Sequence, residues 1–183
     1  MALEDVGLKA MRKTEEKSNS SESKIKSRAG LVINIFAALL AANTFINNGL
    51  SSTIMNNTIK ANDIWNFYQA KSIKQTMYEL AAADADTPAL EKKFLEKAAT
   101  YESDPVTNEG KQELFASAKK LEAERDVAKK KTPWIAYAST AYQLAIVVLS
   151  TSILSASVYL FYGSFVFAIT GLLLMLQGIF LWI

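Results

Sequence analysis

The chain is predicted to be an all-α membrane protein, with three transmembrane helices and a helical extramembrane insert between the first and second. Three observations lead there. Residues 132–183 carry no Asp, Glu, Lys or Arg, and a spanning helix needs roughly 20 apolar residues, so this tail is long enough to cross a bilayer twice. Residues 29–50, directly after Arg28, form a second uncharged run. Residues 56–131 are rich in Lys and Glu but keep narrow apolar stripes at helical spacing. The mean hydropathy of +0.10 therefore averages two very different regions. The resulting division is a tail over 1–28, a first span over 29–55, an extramembrane domain over 56–131 and a hydrophobic hairpin over 132–183.

The tail contains a polar stretch over 18–23 and both signs of charge, and no apolar run precedes Ala29. It does not read as a cleavable signal peptide; a flexible or weakly amphipathic segment is expected. The first span is softened by Asn34, Asn43, Asn47 and Asn48. Alanines at 37, 38, 41 and 42 give it small-xxx-small spacing, which allows close helix approach. No Pro or Gly occurs over residues 51–85, so the first helix is expected to run on, leaving the membrane near Asn56.

Thr87 followed by Pro88 is a helix start signal, an N-cap with proline at the first helical position. Leu90, Phe94, Ala98 and Tyr101 then form one stripe, and Asp104-Pro105 ends the helix. A third polar helix, over about 109–131, has its stripe at Leu114, Ala118, Leu121, Arg125 and Ala128. These three helices read either as a hairpin bundle packing on itself or as arms that oligomerise through the same stripes. Thr132-Pro133 predicts a break or a cap.

The hairpin is expected to split near 155–163, with spans over 134–156 and 162–182. Trp134, Tyr137, Tyr159, Tyr162 and Trp182 fall near the span ends, where amphipathic rings prefer the headgroup level. Gly163, Gly171 and Gly178 put a smooth packing groove on the last span. Sidedness is pulled two ways. Lys24, Lys26 and Arg28 favour a cytoplasmic N-terminus, whereas Lys129, Lys130 and Lys131 favour a cytoplasmic insert. A cytoplasmic N-terminus is the expectation here, because exporting a basic tail is the costlier choice.

Composition excludes much chemistry. The chain has no Cys and no His, which removes disulfides, thiolate and imidazole metal sites, Ser-His and Cys-His nucleophile pairs and imidazole proton shuttles. The net charge of +2 and the lack of a basic patch interleaved with aromatics give no footing for nucleic acid. Asp63, Glu79, Asp84 and Asp86 have no spacing typical of a cation loop and read as solvated acids. The spans hold no ionisable group, which disfavours a proton-coupled transporter or voltage sensor. No cofactor and no small-molecule substrate are expected.

The richest local cluster is residues 62–75. On a helix, Trp65, Tyr68 and Ser72 share a face, and Phe67 neighbours both Asp63 and Lys71. The run Asn62-Asp63-x-Trp65-x-x-Tyr68-Gln69-Ala70-Lys71-Ser72-Ile73-Lys74-Gln75 stands between a first span and a charged helical insert with a hydrophobic hairpin. In this it resembles a bacterial membrane family catalogued as domain of unknown function 4337. The resemblance implies the fold and a membrane setting in the bacterial inner membrane; it implies no activity.

Two readings of the cluster stand: a recognition surface at the membrane boundary, or an interhelical core in which Trp65, Tyr68 and Ile73 meet Phe94, Tyr101 or Leu114. The expected role is a non-enzymatic structural or accessory subunit that assembles with itself or with other membrane subunits in the lipid bilayer. Asn43, Asn47, Trp65, Tyr68, Gln69, Gly171 and Gly178 are the expected assembly residues. The alternative is a homo-oligomeric channel with an Asn-lined pore.

Overall fold

A computed structural model describes residues 2–155 and 157–181, with side chains from residue 27 onward. The expectations placed on Ala156 and Trp182 lie outside the described residues. Four helices follow in order: α1 (Ala2–Ala83), α2 (Pro88–Glu102), α3 (Lys111–Ser155) and α4 (Val158–Phe180). Among the described residues there is no strand. Three of the helices, α1 from Ser27 on, α3 and α4, are long and apolar enough to cross a membrane.

The helical insert expected between the first and second spans is not present as an element of its own, although α1 does run on past Asn56 as the sequence predicts. The charged region is made from the second half of α1, the short α2 and the first half of α3. Nothing in residues 51–83 stops a helix, so α1 continues without a break. Helix α3 also passes straight through Pro133, where the sequence predicts a break. An interior proline removes one backbone hydrogen bond and costs about 3 kcal/mol. Burial of Ile135, Ala138, Tyr142, Ala145 and Leu149 just beyond it, each at 0% exposure, offsets that cost. Helix α1 begins at Ala2, so the backbone of the predicted loose tail is helical.

The chain divides into two compact units, one built from residues up to Asn48 and from Lys131 on, the other from Gly49 to Lys130. In the first, the core joins Ala29 and Phe36 of α1, Ala145 and Leu149 of α3 and Ala168 of α4. Phe36 and Phe165 meet edge to face at 5.5 Å. Alanines at 29, 145 and 168 let the helices approach closely, and Val32, Ile33, Ile146, Ile153, Phe161 and Phe165 fill the space around them. The hydroxyls of Thr44, Thr140, Ser150, Thr151 and Thr170 each donate to the carbonyl four residues earlier. Such back-bonding satisfies a polar group without a second helix.

The turn between α3 and α4 is short. The Ser152 hydroxyl donates to the Ser157 carbonyl at 2.9 Å, and the Ser157 N–H donates back to the Ser152 carbonyl at 3.2 Å. At its far end α4 closes on Leu181 in the left-handed region, φ 50°. Lys131, the last charged residue of the chain, donates its ammonium to the Ile179 carbonyl at 2.8 Å.

In the second unit, Thr87 caps α2 as its sequence predicts, with an extended backbone and its side chain accepting from the Leu90 N–H. Helix α2 ends at Glu102. Asp104 then gathers the turn, accepting from the Val106 and Thr107 N–H groups at 3.2 Å each and from the Thr107 hydroxyl at 2.7 Å. Gly110 is required here, because a Cβ would collide with the Glu113 carboxylate and the Asp104 backbone.

Candidate assembly surfaces

The expected assembly residues separate into groups with different surroundings. Asn43 is fully buried. Its amide nitrogen donates to the Ile135 carbonyl at 2.9 Å and to the Ser139 hydroxyl oxygen at 2.6 Å, tying α1 to α3. The side-chain oxygens of Asn43 and of Asn47, one turn on, are buried and have no hydrogen-bond partner. Asn43 thus faces α3 of its own chain.

Gly171 and Gly178 also serve packing within the chain. A Cβ on Gly171 would sit 3.0 Å from the Tyr142 ring, and one on Gly178 would sit 2.6 Å from Ile135 Cδ1 and 3.1 Å from Trp134 Cβ. These two glycines let α4 lie against α3. Gly163, the third of the series, has nothing within 4 Å. The alanines at 37, 38, 41 and 42 are all exposed in this unit, on the side of α1 away from the packed residues Phe36 and Asn43.

In the second unit, Trp65 and Tyr68 point inward, and Phe115 of α3 is their principal neighbour. Trp65 meets Tyr68 and Phe115 edge to face, each at 5.5 Å. The Trp65 indole N–H donates to a Glu122 carboxylate oxygen at 2.9 Å. Lys119 pairs with the same carboxylate at 2.8 Å and lies over the Trp65 ring at 5.6 Å. The Lys119 contact, then the indole, hold the Glu122 carboxyl below its ordinary range. Of the two readings of the cluster, the interhelical core fits Trp65 and Tyr68, though the partner is Phe115.

Phe94 and Tyr101 of α2 pack instead on Tyr78, with ring centroids 6.1 and 5.6 Å away. Lys111 links the three helices, donating to Gln75 at 2.9 Å and to Glu102 at 3.0 Å. That contact is the first cause of the lowered Glu102 carboxyl. Ser103 donates to Glu113 at 2.6 Å and lowers its carboxyl in turn.

Gln69 lies on the opposite, outward face with Ile73, and both are exposed. That face carries Met55, Ile59, Ile73, Met77 and Leu80, each more than half exposed. Sequence reasoning missed this face as a feature of its own, although Met55 and Ile59, and then Ile73, Met77 and Leu80, follow at the three- and four-residue steps of one helix face. Beside it, Lys74, Met77, Tyr78, Ala81, Phe94 and Tyr101 line a groove of about 530 Å³. Among the described residues no three acidic side chains come together as cation ligands would.

Helices of this length and apolarity, with small-residue packing and hydroxyls turned back on their own carbonyls, define an all-helical protein with three candidate membrane spans. The chain belongs to the family described as "Domain of unknown function (DUF4337)", whose model matches residues 9–181. Comparison with curated proteins returns no match, and comparison with solved structures returns none.

Proposed function

We propose that this protein is a non-enzymatic structural or accessory subunit of the bacterial inner membrane, one that assembles with itself or with other membrane subunits. The observation that carries the reading is the outward face of α1, where Met55, Ile59, Ile73, Met77 and Leu80 stand more than half exposed while Trp65 and Tyr68 on the opposite face are half-buried against α3. Large apolar side chains grouped on one exposed face mark an interaction site more often than singly scattered ones do. Asn43, Trp65, Tyr68, Gly171 and Gly178 then build the subunit, while Gln69 belongs to the surface it presents. The pore alternative draws no support from Asn43, whose amide is engaged by α3.

The N-terminus is proposed to be cytoplasmic. Purification of the full chain from its membranes in gentle detergent, with identification of what accompanies it, tests the assembly role. A stoichiometric companion or a defined homo-oligomer supports it; a monodisperse monomer at native abundance contradicts it.

A further inference from the structure

Where the uncharged run of α1 begins and α3 turns into α4, the spanning unit carries a small groove of about 150 Å³, lined by Arg28, Val158, Phe161 and Tyr162. Its floor is part of the core. Phe161 packs against the cluster that holds Phe36, Ala145 and Leu149, and its ring meets those of Tyr162 and Phe165 at 5.5 Å each. Its rim is open, with Val158, Tyr159 and Tyr162 all exposed. Arg28 forms the charged side.

Among the described side chains of this unit only two are charged, Arg28 and Lys131. Lys131 is engaged by the Ile179 carbonyl at 2.8 Å. The Arg28 guanidinium has no hydrogen-bond, ion-pair or ring partner among the described residues, and no described acid belongs to its unit. A fixed cation therefore stands beside an aromatic groove that offers it no counter-charge.

We infer that this groove seats the headgroup of an anionic glycerophospholipid, its phosphate on Arg28 and its ester region against Phe161 and Tyr162. Charge selects that occupant first. A guanidinium pairs with phosphate oxygens two at a time, and a groove with an arginine and no acid repels the ammonium of a zwitterionic headgroup. Size points the same way. Pockets for whole small molecules run about 300–1,000 Å³, so this one holds an end of a larger molecule. Further along α1 and α4, Leu31, Ile35 and Val166 are exposed to receive acyl chains. Depth agrees as well, because Arg28 directly precedes the uncharged run and the tyrosines stand at the turn, the level at which basic residues and amphipathic rings meet lipid phosphates. Val158 opens α4, so the positive end of that helix's dipole adds a lesser share to the same field. The inference needs only a spanning unit in a bilayer; it goes beyond the assembly role and stands without it.

The full chain, purified in a neutral detergent, is given equal amounts of phosphatidylglycerol and phosphatidylcholine, and native mass spectrometry counts the lipid it retains. Wild type should retain phosphatidylglycerol roughly fivefold over phosphatidylcholine. Arg28→Gln should lose that preference, whereas Lys130→Gln, an equal loss of charge outside the spanning unit, should keep it. Val158→Trp leaves Arg28 in place, fills the groove and should lose the preference too. Arg28 and Val158 are both exposed, so neither change disturbs the core. No preference in wild type, an equal loss in Lys130→Gln, or full retention in Arg28→Gln or Val158→Trp overturns the inference. Displacement of phosphatidylglycerol by inorganic phosphate at equal concentration also overturns it and marks a site for free phosphate instead.

Discussion

The ammonium of Lys131 lies 2.8 Å from the carbonyl oxygen of Ile179 and donates to it, so the last charged residue of the chain closes the last helix. The final carbonyls of a helix lack intrahelical donors and carry the negative end of its dipole. A lysine there satisfies one of them and places its charge favourably. The same residue, read by sequence alone, was only a topology signal.

Lys131→Met keeps the aliphatic stem and removes the donor. The cost should be about 1 kcal/mol, confined to the last turn of α4. Amide hydrogen exchange over residues 177–181 in lipid nanodiscs should accelerate about fivefold. Exchange at the wild-type rate would mean that water or lipid headgroups cap the helix equally well.

Gly178→Ala should destabilise the spanning unit by roughly 1–3 kcal/mol, because the added methyl overlaps Ile135 and Trp134 and forces α4 away from α3. Gly163→Ala, with nothing within 4 Å, should stay within about 0.5 kcal/mol of wild type. Reversible unfolding in mixed micelles compares the two. Equal effects would contradict the close approach at Gly178.

Asn43→Ala removes both bonds to α3 and should cost about 1 kcal/mol, since interhelical hydrogen bonds in membranes average about 0.6 and reach about 1.7 kcal/mol. Ser139→Ala should cost less, because the Ile135 carbonyl still accepts from Asn43. A double-mutant cycle with no coupling between 43 and 139 would refute the contact.

Acid should loosen the charged unit. Glu102, Asp104, Glu113 and Glu122 all titrate below their ordinary range in the folded chain, held there chiefly by Lys111, Thr107, Ser103 and Lys119 respectively. A depressed carboxyl contributes stability above its unfolded value, near 4, and loses it as pH falls through the folded value. Thermal unfolding of the full chain should therefore drop below about pH 4.5. Glu113→Gln should flatten that dependence; an unchanged slope would argue against the Ser103 contact.

Val106 is 89% exposed at the tip between α2 and α3 and suits a sidedness probe. With a cytoplasmic N-terminus and three spans, Val106→Cys should react with an impermeant thiol reagent in intact spheroplasts. Protection until lysis would reverse the orientation. Ser103 is the poorer probe, since its hydroxyl is engaged by Glu113.

The helices were legible because their signals are local. Uncharged length marks the spans, Thr87-Pro88 starts α2, and Leu114, Ala118 and Ala128 are buried as the period requires. Pro133 misled because its penalty is local while the burial of Ile135, Tyr142 and Leu149 that overrides it is tertiary. Trp65 and Tyr68 were legible as a cluster, but which side of α1 they occupy depends on Phe115, some fifty residues away in sequence. Of the three glycines read as a packing groove on α4, Gly171 and Gly178 lie against α3 of the same chain, whereas Gly163 has nothing within 4 Å.

The tie between Lys131 and Ile179 joins residues 48 apart, and that interval sets an order of events during synthesis. The lysine is made first and must wait for almost the whole hairpin to follow before its acceptor exists. Until then the positive charge midway along α3, where its charged half ends, is free to stay with water or with lipid phosphates. Closure of this pair is therefore a late step, a latch that can form only once α4 has been made and folded back against α3.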